Sequence, residues 1–442
     1  MHEHEVIIVG AGAAGLAAAS ALGRQRSDVL VIEARDRTGG RVYTQRGTDS
    51  SLPIELGADF IHGRAPETFR LVGEGGVDVY EFNGEDWHFR GGRLTRSGGF
   101  WSKVAQINAK LEKYRDRDIS FAEFLARECA QEDAEAVEAA QAFVEGFHAA
   151  RTERVSVQSL LLSEEASDVI DGEQQYRIRS GYDSLIAVLD RELASRRIEI
   201  RLGTILERVV WRRGSAELHV ATNDGPQVLR ARRVLITLPL GVMKAAKGER
   251  GAVEFAPELT QKREALGRLE MGAVMKLVLN FRTPFWREIR TEGGSLERMG
   301  FLHAAGEPFP TWWTTAPEES TLLTGWTGGP GAERLSLLKE QQILNAGLTT
   351  LAKLFTKEKS ELRGMLRSQH LHVWQTDPYS RGSYSYVGVG GTNAPRELAA
   401  TLEDTLYFAG EATAADGHFG TVHGALQSGY RAAEEILRSI SE

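Results

Sequence analysis

Apolar and polar positions along the chain follow two different periods, and each change of period marks a predicted strand or helix. The opening segment EVIIVGAGAAGLAAASALGRQRSDVLVIEAR runs from a continuous apolar stretch through glycines into an alanine-rich helical stretch, and then into a second apolar stretch that ends at Glu33. This order predicts one complete βαβ unit in about 30 residues. Farther along, the pattern predicts helices over much of 100–195, strands over 198–241, a helix over 331–355, a strand over about 365–376 and a last helix over 421–438.

Two further predicted strands carry polar side chains where a core is expected. In AVMKLVLNF, residues 273–281, both faces are apolar except at Lys276, which predicts a lysine inside a buried sheet. The alternative is an edge strand whose lysine reaches solvent. In RGSYSYVG, residues 381–388, the alternation puts Tyr384 and Tyr386 on one face of a strand, either in ordinary core or at the wall of a site.

Composition and charge narrow the class of protein. The 442 residues are 42% hydrophobic and 26% charged, with a formal charge of -8, which predicts more than one domain and gives no basic surface for nucleic acid or an anionic membrane. The single cysteine, Cys129, allows no internal disulfide. The N-terminus lacks the pattern of a signal peptide, and no apolar stretch approaches about 18 residues. We expect a soluble, cytoplasmic protein without a metal site.

The first glycine turn has the spacing of a dinucleotide-binding loop. Gly10, Gly12 and Gly15 form G-x-G-x-x-G between a strand and a helix, so that the helix N-terminus faces a pyrophosphate. Glu33 follows Gly15 by 18 residues, at the end of the second strand, where a carboxylate binds ribose hydroxyls and repels a 2′-phosphate. FAD and NAD proteins share this pattern.

The residues after Glu33 point to a particular flavoprotein family. The segment ARDRTGGRV supplies a glycine pair and Arg41, which together predict a second clamp on a diphosphate. From here the sequence resembles the FAD-dependent amine oxidases, the family of monoamine oxidases, polyamine and spermine oxidases and the lysine-specific histone demethylase. Polyamine and spermine oxidases are the closest match, and the likeness runs the full length of the chain with the motifs in the family's order.

The resemblance implies an α/β fold with two interleaved domains. The first is a discontinuous, Rossmann-like FAD-binding domain, and the second is a substrate domain of mixed β-sheet flanked by helices. We expect the FAD-binding domain to comprise 1–75, 198–255 and 397–442, and the substrate domain to comprise 76–197 and 256–396.

The cofactor contacts implied by the resemblance come from the glycine loop, the segments after Glu33, ELGADFIHG, LGTILERV, the tryptophan of HVWQTD and the C-terminal block LYFAGEATAADGHFGTVHGA. The last of these predicts a helix whose N-terminal N–H groups face the flavin's pyrimidine edge. The predicted cofactor residues are Gly10, Gly12, Ala14, Gly15, Glu33, Arg35, Gly40, Arg41, Gly57, Ala58, Asp59, Phe60, Ile205, Trp374, Gly410, Glu411, Thr421 and Val422.

Four residues are implied to act on the substrate or the flavin. Lys276 would hold a water at the flavin N5 and assist reoxidation by O2. Trp374 would lie against the flavin ring system, and Tyr384 would belong to the aromatic cage that holds the substrate amine. His62, Tyr384 and Thr421 would contact the substrate. A hydrogen-bonded structural role is the alternative for His62, and Tyr386 is expected only to pack.

Two departures from monoamine oxidases change the expectation. Ser383 stands where those enzymes join a cysteine to the flavin, and Thr421 stands where they have a second tyrosine beside the amine, so FAD should be held non-covalently and the site should accept a longer amine. The tower insertion of the histone demethylase has no counterpart. We expect Glu164, Glu165 and Asp168 to lie in a solvated loop rather than to attract a polycation.

The resemblance therefore implies an enzyme that oxidises a polyamine or another secondary or long-chain primary amine to an imine, then an aldehyde, while O2 becomes H2O2. Three alternatives stay open. An L-amino-acid oxidase would need a cationic anchor for a carboxylate, with Arg64 the nearest arginine to the GADFIHG segment. The others are a desaturase or protoporphyrinogen-type oxidase and an FAD-binding protein without catalysis.

Overall fold

The computed structural model describes residues 3–25, 28–47, 50–96 and 99–441. Two large sheets and the helices that cover them account for most of these residues. Among the described residues, the first sheet contains eight strands: Glu3–Val9, Val29–Ile32, Glu199–Arg201, Ile205–Arg212, Ser215–Thr222, Gly225–Ile236, Glu254–Ala256 and Leu406–Phe408.

Apolar runs form the parallel centre of the first sheet. Strand Glu3–Val9 pairs in parallel with Val29–Ile32 on one side and with Gly225–Ile236 on the other. Helix Ala13–Arg24 covers one face, and the C-terminal helix Val422–Ser441 packs against it. Because both faces of the sheet are covered, its central strands read as continuous apolar sequence.

The second sheet is mixed and holds the lysine strand in its interior. Its strands are Glu85–Arg90, Arg93–Arg96, Val274–Phe281, Met299–His303, Thr311–Trp313, Leu322–Gly328 and Leu366–Leu371. Val274–Phe281 lies between Leu322–Gly328 and Leu366–Leu371, and all eight of its residues are buried. The edge-strand alternative for Lys276 is therefore wrong.

Short sheets and helices complete the described part of the chain. The short strands are Ile61–His62, Val79–Glu81 and Gln175–Ile178; Leu269–Met271 with Ser385–Val387; Thr44–Gln45 with Ile54–Glu55; and Arg290–Thr291 with Gly294–Ser295. The α-helices are Ala13–Arg24, Pro66–Gly75, Phe100–Asn108, Phe121–Glu128, Ala134–Gly146, Val157–Val169, Asp183–Ser195, Leu240–Met243, Arg263–Arg268, Gly329–Ser336, Glu340–Phe355, Lys359–Met365, Ala394–Ala399 and Val422–Ser441. Within the described ranges, none of them is both long enough and apolar enough to span a bilayer.

The predicted fold class is confirmed, with local corrections. The helix predicted over 331–355 is two helices, because the Gln342 side chain accepts a hydrogen bond from the Lys339 N–H and starts a new helix there. The strand predicted to reach 376 ends at Leu371. Glu164, Glu165 and Asp168 lie on helix Val157–Val169 rather than in a loop.

The domain boundaries stay a prediction. The strands of the first sheet come from the segments expected to bind FAD, apart from Ala256 at the end of one strand. Helix Asp183–Ser195, expected in the substrate domain, instead packs with helix Ala13–Arg24 of the FAD-binding segments. Its apolar face supplies Leu185, Ile186, Leu189 and Leu193 to that core.

Candidate active site

One cavity of about 1710 Å³ is bordered by residues of both large sheets. All the predicted cofactor, substrate and catalytic residues border it except Gly15. Gly15 lies behind the loop, where a Cβ atom would stand 1.9 Å from the Gly10 carbonyl oxygen. Residues from both ends and the middle of the sequence therefore converge on one space.

At one end of the cavity the glycine loop meets the carboxylate of Glu33. One Glu33 oxygen accepts the Ala11 N–H at 2.9 Å, and the other accepts the Arg35 N–H at 2.9 Å. The Gly12 backbone faces open space, since a Cβ there would meet no atom within 4 Å. A helix N-terminus, open backbone and an oriented carboxylate are what a dinucleotide requires.

The two predicted arginines near this end have acidic partners. Arg35 donates to Asp377 at 2.8 Å and to Ser380 at 2.9 Å. Arg41 pairs with Glu411 at 2.8 Å and donates to the Ser383 carbonyl at 2.7 Å. These pairs fix the arginines at the cavity wall.

Glu411 is buried and ties three separate segments together. Besides the Arg41 pair, its second oxygen accepts the Ser385 hydroxyl at 2.5 Å and the Gly420 N–H at 3.1 Å. Gly420 directly precedes Thr421, whose hydroxyl accepts the Gly424 N–H at 3.0 Å and so caps the C-terminal helix. The carboxylate therefore positions the helix N-terminus that borders the cavity.

Trp374 and Tyr384 are each held by one hydrogen bond to a distant backbone carbonyl. The Trp374 indole donates to Leu56 at 3.0 Å, and the Tyr384 hydroxyl donates to Phe147 at 2.7 Å. The Tyr384 ring lies against Gly420, where a Cβ would approach the ring to 3.3 Å. Burial raises the pKa of Tyr384 well above its usual value, so its hydroxyl stays protonated and keeps its hydrogen bond to Phe147.

Lys276 is buried beside Asp59. Its Nζ donates to the Gly57 carbonyl at 2.7 Å and to Asp59 at 3.3 Å. Burial lowers the pKa of Lys276, although Asp59 and Glu55 oppose that effect. Burial alone would raise the pKa of Asp59, but Arg177 and Lys276 hold it below its usual value.

Aromatic rings line the remainder of the cavity around His62. The His62 ring meets Phe147 edge-on at 5.3 Å, and burial lowers its pKa to about 4, so it is neutral at neutral pH. The further rings bordering this part are Phe60, Phe100, Phe143, His148, Phe301, His303, Trp313 and Trp326. The region is apolar and suited to excluding water from a bound ligand.

Sequence reasoning missed Arg177 and most of these rings. Arg177 lies on strand Gln175–Ile178, where the pattern YRI put an arginine between apolar residues, a signal comparable to that of Lys276. The Trp313 and Trp326 rings lie in strands whose aromatic content is ordinary for a core, so no local signal marks them. Tyr386 packs in the apolar cluster with Phe121 and Phe124, although it also borders the cavity.

Two groups considered from the sequence lie away from the cavity. Arg64 is exposed, rests on the Phe69 ring at 4.6 Å and is absent from the described residues that border the cavity. Glu165 pairs with Arg115 at 2.5 Å, and Glu164 accepts from Asn108 at 3.5 Å. Neither acid is among the described cavity-lining residues.

Comparisons with known proteins place the chain in a family. Residues 13–437 match the sequence profile described as flavin containing amine oxidoreductase, and the chain belongs to that family. It is an FAD-dependent amine oxidase. It is 26% identical to polyamine oxidase 3 of Oryza sativa subsp. japonica, over 100% of this chain and 90% of that protein.

Other relatives extend the comparison. The chain is 27% identical to lysine-specific histone demethylase 2 of Homo sapiens, over 98% of this chain but only 53% of that protein. Among solved structures, putrescine oxidase bound to putrescine is similar with a TM-score of 0.81, 22% identity and 99% of each chain covered. Cyclohexylamine oxidase from Brevibacterium oxydans IH-35A has the same TM-score of 0.81, with 22% identity and 100% of each chain covered. At 22% sequence identity, the similarity to these two solved structures establishes only the fold of this chain.

The residues present fit FAD. The open backbone at Gly12 and the helix N-terminus behind it suit the pyrophosphate, and Glu33 suits the ribose. The Ser383 hydroxyl is buried at the cavity wall with no hydrogen-bond partner among the described residues, which leaves it free for a polar atom of the cofactor. A serine cannot form the thioether of a covalent flavin, so FAD is held non-covalently.

Proposed function

We propose that this protein oxidises a secondary amine or a long-chain primary amine, polyamines included, to an imine. A hydride leaves the carbon next to nitrogen and a proton leaves the nitrogen, so the amine loses two electrons; water then hydrolyses the imine to an aldehyde and releases the remaining amine. Bound FAD supplies the two-electron acceptor, and O2 takes up two electrons and two protons to become H2O2.

One observation carries this proposal: a single cavity joins the dinucleotide loop to a buried lysine and an aromatic-walled region. Tyr384 and Trp374 border that region and are fixed by hydrogen bonds, so they can orient an amine without reorganising. Their ring faces exclude water, which favours the uncharged amine that oxidation requires. Thr421 has a short side chain that leaves room for a longer substrate, and neutral His62 can accept a hydrogen bond from an amine.

Lys276 is proposed to act on the reduction or the reoxidation of the cofactor. Its Nζ is buried, borders the cavity and has fixed partners, so it can hold a water and place positive charge where negative charge develops. We expect Lys276→Met to slow flavin reduction or reoxidation on the order of 100-fold in stopped-flow measurements.

The matched control for that variant is Lys262→Met. Lys262 is also buried, donates to the Glu397 and Ala400 carbonyls, and does not border the cavity within the described residues. Its replacement should leave both flavin rates unchanged in the folded protein. Unchanged rates in Lys276→Met as well would contradict the role given to Lys276.

The substrate is identified by a peroxide-coupled screen over polyamines, acetylated polyamines, monoamines and amino acids, with anaerobic loss of the flavin's visible absorbance as confirmation. An amine that both reduces the flavin and yields peroxide supports the proposal. Turnover of leucine but of no amine would favour an L-amino-acid oxidase, for which the position of Arg64 offers no support. Failure of every compound would favour FAD binding without catalysis.

The proposal places the reaction in the cytoplasm. The support for this location is the single cysteine, Cys129, which allows no internal disulfide and suits a reducing compartment. Cell fractionation of the native protein tests this location, and recovery in a secreted fraction would contradict it.

A further inference from the structure

A chain of three buried charges connects Lys276 to the interior of the protein. Lys276 pairs with one oxygen of Asp59 at 3.3 Å, and Arg177 pairs with the other oxygen at 2.6 Å. The three side chains are 4%, 6% and 10% exposed, respectively. One carboxylate thus serves two cations.

The three buried charges would contribute little to stability if their role were only structural. Burying charges carries a large desolvation cost, and replacing buried ion pairs with apolar residues is often neutral or stabilising. The lysine strand is otherwise well suited to an apolar side chain, since its neighbours Met275 and Leu277 are completely buried. Lys276 and Asp59 both border the cavity, so the charges face the space assigned to the cofactor and substrate.

The hydrogen bonds of the Lys276 ammonium leave one of its N–H groups for a further partner. An ammonium has three N–H donors, and two of them are directed to Gly57 and Asp59. Two indole rings, Trp313 and Trp326, have centroids 5.8 and 5.9 Å from Nζ. Asp59 is therefore the anion that balances the ammonium, since the other contacts are a carbonyl and ring faces.

The surrounding titratable groups are Glu55, His62, Tyr80 and Tyr182. Burial lowers the pKa of His62 to about 4, and burial raises the pKa of both tyrosines, so these three are neutral near neutral pH. Glu55 does titrate in that range, but its two oxygens accept hydrogen bonds from the Tyr182 N–H and the Thr44 hydroxyl rather than from Lys276. Asp59 is the acid in direct contact with the lysine.

We infer that Asp59, held by Arg177, is a positioning residue that keeps Lys276 as an ammonium directed along the cavity wall. This inference rests on the proposed function, in which Lys276 assists the electron transfers. A fixed ammonium supplies positive charge where electrons pass to O2, and a preorganised charge costs no reorganisation at that moment. Without Asp59, burial favours the neutral amine and the charge is lost at a lower pH.

The test replaces Asp59 and follows Lys276 directly. In holoprotein carrying [13Cε]lysine, the NMR signal of Lys276 is assigned by its loss in Lys276→Met, and its titration midpoint is measured in wild type and in Asp59→Asn. We expect the midpoint to fall by about one pH unit or more, which is a tenfold loss of proton affinity. The alkaline fall in the rate of flavin reoxidation by O2, measured after anaerobic reduction by dithionite, should move to lower pH by the same amount.

Two further variants keep the test decisive. Asp59→Asn leaves Arg177 buried without its anion, so the double variant Asp59→Asn/Arg177→Gln is prepared in case the single variant does not fold. Its midpoint should also fall, but by less, because repulsion from Arg177 is removed too. Glu192→Gln is the control: that acid pairs with Arg24 at 2.9 Å and does not border the cavity in the described part of the chain. It should leave both readouts at wild-type values.

An unchanged Lys276 midpoint and an unchanged reoxidation profile in a folded Asp59 variant would overturn the inference. Failure of the proposed function looks different. In that case no amine reduces the wild-type flavin, whereas the NMR titration and the dithionite experiment still report on Asp59.

Discussion

Glu55 lies next to the Asp59 segment with a side chain that is almost entirely buried. Burial, reinforced by the charge of Asp59, raises its pKa from 4.5 to about 7, although two hydrogen bonds oppose the shift. An acid whose pKa is higher in the folded protein than in the unfolded chain binds its proton more tightly when folded. Its contribution to stability is therefore full below pH 4.5 and is lost as the pH rises to about 7.

At the residue scale we predict that Glu55→Gln flattens this pH dependence. Between pH 4.5 and about 7, the wild-type free energy of unfolding should fall by on the order of 3 kcal/mol because of Glu55, and the glutamine variant should lack that part of the slope. Urea unfolding at several pH values measures it. Glu138→Gln, at an exposed position on helix Ala134–Gly146, should keep the wild-type slope. Equal slopes in wild type and Glu55→Gln would refute the assignment.

The glycine loop shows how one element combines a packing requirement with a binding requirement. Gly15 has no room for a side chain, because a Cβ would stand 1.9 Å from the Gly10 carbonyl oxygen. Gly12 has room in this structure and an extended backbone with φ of −80°, which any residue adopts. A side chain at Gly12 would instead occupy the space that the pyrophosphate needs.

At the element scale, Gly12→Val and Gly15→Val should therefore fail differently. Gly12→Val should fold as an apoprotein with wild-type apoprotein thermal stability but carry little FAD. Gly15→Val should lose thermal stability even without FAD, because helix Ala13–Arg24 must move away from the first strand. Flavin absorbance per protein and thermal melting of both apoproteins separate the cases. Normal FAD content in Gly12→Val would contradict the placement of the pyrophosphate.

Across the whole molecule, segments from both ends and the middle of the chain border the cavity that fits FAD, and FAD is held without a covalent bond. The cavity touches the first strand, Ile205, the lysine strand and the C-terminal helix, so binding depends on the packing of both sheets. Ser383 borders it with a free hydroxyl among the described groups. Unfolding the protein should consequently release the cofactor completely.

At this scale we predict that trichloroacetic acid moves all the FAD into the supernatant, because precipitation destroys the packing that alone retains it. The measurement is flavin absorbance in supernatant and pellet after centrifugation. Spiking free FAD into a lysate of cells that lack the protein controls for trapping in the precipitate. Flavin that stays with the washed pellet beyond this control would show a covalent link elsewhere in the chain.

Short-range patterns account for what sequence alone determined. The glycine spacing and the apolar runs around it predict the βαβ unit and place Glu33, because these features depend on residues close together in the chain. The buried lysine of AVMKLVLNF follows in the same way from alternation within one strand. Family resemblance then identified further cavity-lining residues by their motifs, but not most of the aromatic rings around His62.

Only the tertiary structure decided which of these residues meet. Asp59 reaches Lys276 across 217 positions, and Tyr384 reaches the Phe147 carbonyl across 237. Both tyrosines of the RGSYSYVG segment border the cavity, but the same long-range packing bonds Tyr384 to the Phe147 carbonyl and places Tyr386 in the apolar cluster with Phe121 and Phe124. Such contacts depend on how two sheets and their helices pack, and no local period in the chain encodes that arrangement.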